Sequence, residues 1–378
     1  MRVAFISGCL EYSVCLANAM SKKCELDFFY SGAYARQRDD SILTLLDPAI
    51  GKLEINSYRL RDPRNFSSHR RLARLFNDYD VIHLQGSNFW FNINRQVCGN
   101  VPIVCTIHDP VQHTGLPLAN RLFQSIAQRI SVSQAAAFIV HGQKLRSTLA
   151  ALHRIPKEAI EVIPHGEFSF YKKMRKPQDG QHTTARGGKR VLFFGEVRKN
   201  KGLEYLIKAE PLISAEFNDY HITIAGRFKQ EAENNLAYYR GLMHNPDRFE
   251  IIDRFVANCE VADIFERCDI VVLPYVSASQ SGVLPLAYGF GKPVVATEVG
   301  SIGEVLHHGR TGLIVPPADE RALAAALLEL LRDDDCRSTC GRNAQAVADE
   351  ELSWDNIAER TLAVYQKVTA ARQRKQAA

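Results

Sequence analysis

The 378 residues are 46% hydrophobic and 24% charged, with 47 Lys and Arg against 42 Asp and Glu and a net charge of +5. This composition fits a globular chain of two domains, each able to bury a core of its own. The mild excess of basic charge suits an anionic substrate or a membrane surface but excludes the concentrated charge of a nucleic-acid binder. The nine cysteines, with no CxxC pair, argue against a disulfide framework and for a reduced, cytosolic compartment.

At the start of the chain, Gly8 and Glu11 interrupt the apolar run too early for a signal-peptide core. No stretch approaches the ~18 apolar residues of a membrane span, so a cytoplasmic location is expected, with peripheral attachment at the inner membrane face left open. Six short apolar runs follow in the first half: Val3–Ser7, Leu26–Tyr30, Val81–Leu84, Pro102–His108, Ala136–His141 and Ala159–Pro164. Six more follow in the second half: Arg190–Gly195, His221–Gly226, Phe249–Phe255, Asp269–Tyr275, Pro293–Thr297 and Thr311–Pro316. Apolar runs without alternation are strands covered on both faces, and strand alternating with helix is the α/β pattern of parallel sheets. Two such sets predict two Rossmann-like, doubly wound domains with ligand sites at the carboxyl ends of their strands.

The expected boundaries are a first domain over 1–170, a polar Gly- and Pro-containing linker over 171–189, a second domain over 190–352, and a C-terminal helix and tail over 353–378. Ser353 is placed to cap that last helix. Leu122, Phe123, Ile126 and Ile130 fall at helical spacing, which predicts core packing. Asp333, Asp334 and Asp335 read as a solvated connector between helices, not a metal site.

In the second half, Phe194-Gly195-Glu196-Val197-Arg198-Lys199-Asn200-Lys201-Gly202 ends a strand, turns on glycine, adds cations and starts a helix. Phosphates need this combination of helix-start amides and fixed positive charge. Arg198 offers a fork to phosphate oxygens and Lys201 a point charge; the same residues also fit a solvated basic turn. Ser277–Pro285 repeats the pattern after the strand Asp269–Tyr275. Ser281 and the amides of Gly282 and Val283 can hold a diphosphate, and Gln280 can bond a sugar hydroxyl, although a helix cap that binds nothing has the same composition. In the first half, His83 and His108 sit at expected strand ends. His108 can donate a hydrogen bond to a sugar or stabilise leaving-group charge, or be a structural histidine. Basic residues gather at Arg59, Arg61, Arg64, Arg70, Arg71 and Arg74, and at Lys172, Lys173, Arg175 and Lys176; they form a solvated face or a dock for anionic lipid.

The ordered set FGxxRxxKG, Ala225-Gly226, DIVVLPY, SQSGV, GKPVVAT, Gly303-Glu304 and TGLIV resembles family 4 of the GT-B glycosyltransferases (glycosyl transferases group 1). The resemblance covers nearly all of 190–315. Val162-Ile163-Pro164-His165-Gly166 resembles the segment closing that family's first domain, and Ser353-Trp354 through Tyr365 its closing helix, which crosses back to the first domain. The resemblance implies two Rossmann-like domains facing across a cleft and a metal-independent, retaining transfer from a nucleotide diphosphate sugar, with no cofactor, to a glycan, lipid-linked or small-molecule acceptor. By resemblance Lys201 matches the phosphate lysine, with Arg198 standing in for an arginine whose place is taken by Glu196. Arg227, Phe255 and Val256 lie near the base, Gly8 near the sugar and phosphate, and His108 beside the transferred sugar, with Asp109 orienting the acceptor. His113 and Gly115 belong to the same loop, while His141 and His165 read as structural or as supports behind the site residues. Many relatives carry two glutamates eight residues apart where this chain has Ala278 and Leu286. That places it with a subgroup bearing SQSGV instead, and makes Gln280 the substitute candidate for a donor-sugar or ribose contact. Two other readings stay open: a non-catalytic subunit binding a nucleotide sugar or glycan, and a sugar-nucleotide epimerase.

Overall fold

The computed structural model describes residues 1–55, 62–86, 89–111, 118–175, 188–229 and 234–377. The chain divides into two compact units, one made of Met1–Pro164 with Ser353–Ala378 and the other of His165–Leu352.

The first unit holds β1 (Arg2–Ile6), β2 (Glu25–Ser31), β3 (Gly51–Ile55), β4 (Val81–Gln85), β5 (Ile103–Thr106), β6 (Ala137–Val140) and β7 (Ile160–Val162). They form one sheet in the order β3-β2-β1-β4-β5-β6-β7, and each neighbouring pair is parallel. Six of these strands match the apolar runs. β3 was not expected, because it is an edge strand whose Lys52, Leu53 and Glu54 are exposed and which needs no apolar run. β4, β5 and β6 are buried along their whole length, as strands under helices on both faces must be. The core around them joins Ala4, Ile82, Leu84, Ile103, Phe138 and Val140.

The second unit holds β8 (Lys189–Phe194), β9 (Tyr220–Ala225), β10 (Phe249–Ile252), β11 (Ile270–Leu273), β12 (Val294–Thr297) and β13 (Gly312–Val315). All six were expected, and they form a parallel sheet in the order β10-β9-β8-β11-β12-β13. Val191, Phe193, Ile222 and Ile224 of this sheet pack with Leu206 and Ile207 of the helix Leu203–Ser214 and with Leu327 and Leu330 of the helix Glu320–Arg332.

In each sheet the winding reverses once, between β1 and β4 in the first and between β8 and β11 in the second. At such a point neighbouring connections leave on opposite faces and open a crevice beyond the strand ends.

The last helix, Trp354–Ala377, belongs to the first unit. Ser353 Oγ accepts from the amide of Asn356 at 3.4 Å. Lys22 and Lys23, which follow the helix Leu10–Ser21, pair with Asp355 and Glu359 at 3.0 and 3.1 Å. Within the stretch expected as a linker, Tyr171–Met174 is a short helix whose Lys172 donates to the carbonyl of Gly289 at 2.8 Å; residues 176–187 lie outside the described residues. So do Arg59, Arg61, His113, Gly115 and Lys176 and the side chains of Leu122 and Phe123. Ile126, expected in a core, is 51% exposed. Among the described residues, no helix is long and apolar enough to cross a membrane.

Candidate active site

At the reversal point of the second sheet, two loops are joined. After β8, the turn Lys199–Lys201 ends on Gly202, whose φ is +66°. A Cβ there would stand 1.9 Å from the carbonyl oxygen of Pro274, so both the backbone shape and the close approach require glycine. Asn200 stitches this turn to the loop after β11. Its side chain donates to Ser277 O at 3.0 Å and its carbonyl accepts from Val276 N at 2.9 Å.

Lys201 Nζ consequently lies 3.9 Å from the centre of the Tyr275 ring, a cation held on an aromatic face. The Tyr275 hydroxyl lies 3.2 Å from Ser281 Oγ, which accepts from the amide of Val283 at 3.3 Å. Lys201, Ser281, Gly282 and Val283 are thus brought together by one buried tyrosine that is 1% exposed. The helix beginning at Val283 is only seven residues long, and further cations, Arg198, Arg227 and Lys229, stand in the loops after β8 and β9.

Those cations meet at Glu196. Arg198 Nε and Nη2 both donate to Glu196 Oε2, at 2.8 and 2.5 Å. Lys229 Nζ and Arg227 Nη2 approach Oε1 at 2.7 and 3.3 Å. Burial pushes this carboxyl up, but the hydrogen bonds from Lys229 and Arg198 outweigh that and hold it down at about 2. The fork expected to face phosphate is therefore turned onto a neighbouring carboxylate, and three cations around one anion leave an excess of positive charge.

Gln280 Oε1 is buried without a hydrogen-bond partner, as is Ser301 Oγ. Their loops touch where Ser301 N donates to Ser279 O at 2.9 Å. Of the residues expected near a base, Arg227 is open, with its side chain 62% exposed, and Phe255 is 42% exposed. Val256 is buried and can offer only its backbone. Leu286, at the place of the second glutamate in many relatives, is buried in the helix Val283–Gly289. Asp333 caps the helix Asp334–Glu350 through Cys336 N at 2.8 Å, and Asp334 pairs with Lys189 and Arg337. Among the described residues no three His, Cys, Asp or Glu side chains converge as a metal ion would require.

At the reversal point of the first sheet, Gly8 follows β1. A Cβ on it would be 1.9 Å from Gln85 O, so the loop can close against the end of β4 only as glycine. His83 does not reach the strand end. It is the third residue of β4 and fully buried, with Nδ1 2.5 Å from Tyr365 Oη and Nε2 2.7 Å from Thr106 Oγ1. Burial lowers its pKa to about 3, so it is neutral and structural. His108, just beyond β5, is held at both nitrogens. Nε2 lies 3.0 Å from Gln85 Oε1 and Nδ1 2.9 Å from His141 Nε2, with the Tyr12 ring edge-on at 5.0 Å. Asp109 adjoins it, partly buried.

Four functional candidates escaped the sequence, Glu196, Asn200, Tyr275 and Gln85, whereas His141 was read there as structural or as a support behind the site. The strand register is what joins Gln85 and His141 to His108. Gln85 pairs with Thr106, and Thr106 with Ile139, so extending the register brings His141 beside His108.

Residues 188–333 match the family model described as Glycosyl transferases group 1, and residues 8–166 match that described as Glycosyltransferase Family 4. The chain is 28% identical over 307 residues to the D-inositol 3-phosphate glycosyltransferase of Pseudarthrobacter chlorophenolicus, covering 76% of this chain and 70% of that protein. It is 28% identical over 309 residues to the phosphatidyl-myo-inositol mannosyltransferase of Mycobacterium leprae, covering 80% and 78%. The fold is similar to that of Anabaena HepE, solved in complex with UDP-glucose, at a TM-score of 0.74 and 17% identity over 98% of this chain and 100% of that one.

Proposed function

Because the chain belongs to the glycosyl transferases group 1, family 4, of GT-B fold, we propose that it moves a hexose from a nucleotide diphosphate sugar to a glycan, lipid-linked or small-molecule acceptor with retention of configuration and without a metal. The observation that carries this reading is the Lys201–Tyr275–Ser281 cluster, which gathers a fixed cation and two strand-end loops where the second sheet reverses.

In the reaction the bond from the anomeric carbon to the diphosphate oxygen breaks and a bond to the acceptor oxygen forms. The acceptor proton passes to the departing phosphate oxygen. Lys201 and the amides of Gly282 and Val283, the latter giving up Ser281 Oγ, meet the growing charge on the leaving group, and the fold sets their positions before that charge develops. Arg198 joins them by exchanging Glu196 for phosphate. Arg227 and Phe255 serve the base, while Gln280, with its unpartnered oxygen, serves a sugar or ribose hydroxyl. His108 serves the transferred sugar, Asp109 the acceptor hydroxyl, and Gly8 gives backbone access.

The helix Arg64–Leu75 carries exposed Arg70, Arg71 and Arg74 beside Phe66 and Leu75, 41% and 50% exposed. This supports peripheral docking to anionic lipid, which flotation with phosphatidylglycerol vesicles tests.

The main test is transfer of isotope-labelled donor by the purified chain, after a thermal-shift screen of UDP, GDP, ADP and their sugars selects the nucleotide. Lys201→Ala and His108→Ala are expected to lose transfer, and full activity in both would overturn the assignment. Leu286 in place of an acid favours one second reading, a non-catalytic nucleotide-sugar-binding subunit. That subunit would give a thermal shift with no transfer and no epimerised donor.

A further inference from the structure

His141 sits at the end of β6 with both ring nitrogens engaged. Nδ1 is 2.9 Å from the carbonyl oxygen of Ile163 and Nε2 is 2.9 Å from His108 Nδ1. A carbonyl oxygen only accepts, so Nδ1 of His141 must carry the hydrogen. His141 is 4% exposed, which favours its neutral form. Its Nε2 is then a lone pair, and the contact with His108 is a hydrogen bond only if His108 Nδ1 donates.

We infer that His141 is a positioning residue that fixes the tautomer of His108, with the proton on Nδ1 and with Nε2 turned to Gln85.

This inference deepens the role proposed for His108 and rests on it for its consequence in transfer. Ordinarily a neutral imidazole can place its proton on either nitrogen, and the partner of one nitrogen decides the state of the other. Here the Ile163 carbonyl makes that decision two bonds away. Nε2 of His108 is left as the nitrogen whose protonation can change. Gln85 Oε1 faces it at 3.0 Å, which suits a protonated Nε2; with the proton on Nδ1 alone the Gln85 amide turns over, so that its NH₂ donates to the lone pair. The other end of the Gln85 amide lies 3.2 Å from His83 Nε2 and 3.4 Å from Thr106 Oγ1, groups that also adapt as donor or acceptor. His83 ends the chain on Tyr365 of the last helix. His108 can therefore gain or lose a proton at Nε2 without leaving an unpaired polar atom in the relay. Without His141, nothing among these contacts holds the proton on Nδ1.

The test uses the full chain labelled with ¹⁵N-histidine. Two-bond proton–nitrogen correlations separate the two tautomers, and His108→Gln identifies the signals of His108 by their loss. The wild type is expected to show His108 protonated on Nδ1. His141→Phe is expected to move the proton to Nε2 and to lower the transfer rate roughly 10- to 100-fold, the usual effect of losing an orienting partner, with little change in donor KM. His141→Gln keeps an acceptor for His108 and a donor for Ile163, and is expected to restore the tautomer and most of the rate. A wild-type His108 protonated on Nε2, or an unchanged tautomer in His141→Phe, would overturn the inference. The wild-type spectrum decides alone if His141→Phe does not fold. If the tautomer is as inferred while His108→Gln keeps full transfer, the inference stands and the role proposed for His108 fails.

Discussion

Replacing Glu196 by Gln removes the one carboxylate among Arg198, Arg227 and Lys229 and raises the cluster's excess from two positive charges to three. A diphosphate that recruits Arg198 must first displace Glu196 Oε2, which takes both donors of the guanidinium fork. The pair is partly open, with side chains 43% and 26% exposed, so its release costs about 1 kcal/mol. Glu196→Gln is accordingly expected to bind the selected nucleoside diphosphate about fivefold more tightly. The gain should shrink as salt screens the cluster. Stability moves the other way. The carboxyl falls from 4.5 to about 2 on folding, so its contribution is present above pH 4.5 and is lost as pH falls toward 2. After discounting for solvent, the variant should be less stable at neutral pH by about 1–2 kcal/mol and show a flatter acid limb. Isothermal titration at low and high salt measures the affinity, and thermal melts across the acid range measure the stability. Weaker diphosphate binding by Glu196→Gln would refute the exchange argument and make Glu196 an orienting partner that Arg198 needs.

Gly202→Ala puts a Cβ against Pro274 O at a positive φ; a loss of about 1–3 kcal/mol is expected, with a raised donor KM, and an unchanged melting temperature would contradict the geometry. Tyr275→Phe keeps the ring under Lys201 and loses one hydrogen bond, for about 1 kcal/mol of stability. Tyr275→Leu also removes the ring face, and nucleotide titration should show affinity falling more than in the Phe variant; equal affinities would deny the ring its role. Burial lowers His83 to about 3 and His165 to about 4, the latter against the opposing bond to Gly166. Both stay neutral while the unfolded chain binds protons below pH 6.5, so each contributes stability that is complete above 6.5 and falls with pH. About 2 kcal/mol per histidine should be gone by about pH 5. Melts of His83→Gln should show a shallower loss between those values, and a slope equal to wild type would contradict the burial argument.

The sequence by itself determined the two parallel sheets. Runs such as Ile270–Leu273 and 294–296 are apolar at every position, and only a strand covered on both faces buries them all. It also placed Lys201 and Ser281 at strand ends, because a glycine turn followed by a helix start is a local pattern. β3 was not legible: an edge strand borrows its order from its neighbour and needs no apolar run of its own. The partners were not legible either. Glu196 stands two residues from Arg198, but a carboxylate near an arginine in sequence does not say which way the fork turns. Tyr275 and Lys201 are 74 positions apart and meet because β8 and β11 are adjacent in the sheet. His83 was placed at a strand end from its position in an apolar run, yet burial and Tyr365 on the last helix make it structural. His141 became a partner of His108 only through the register of β5 and β6. Periodicity reports which face of an element is covered, whereas hydrogen-bond direction and charge pairing depend on distances of about 3 Å that only the folded chain sets.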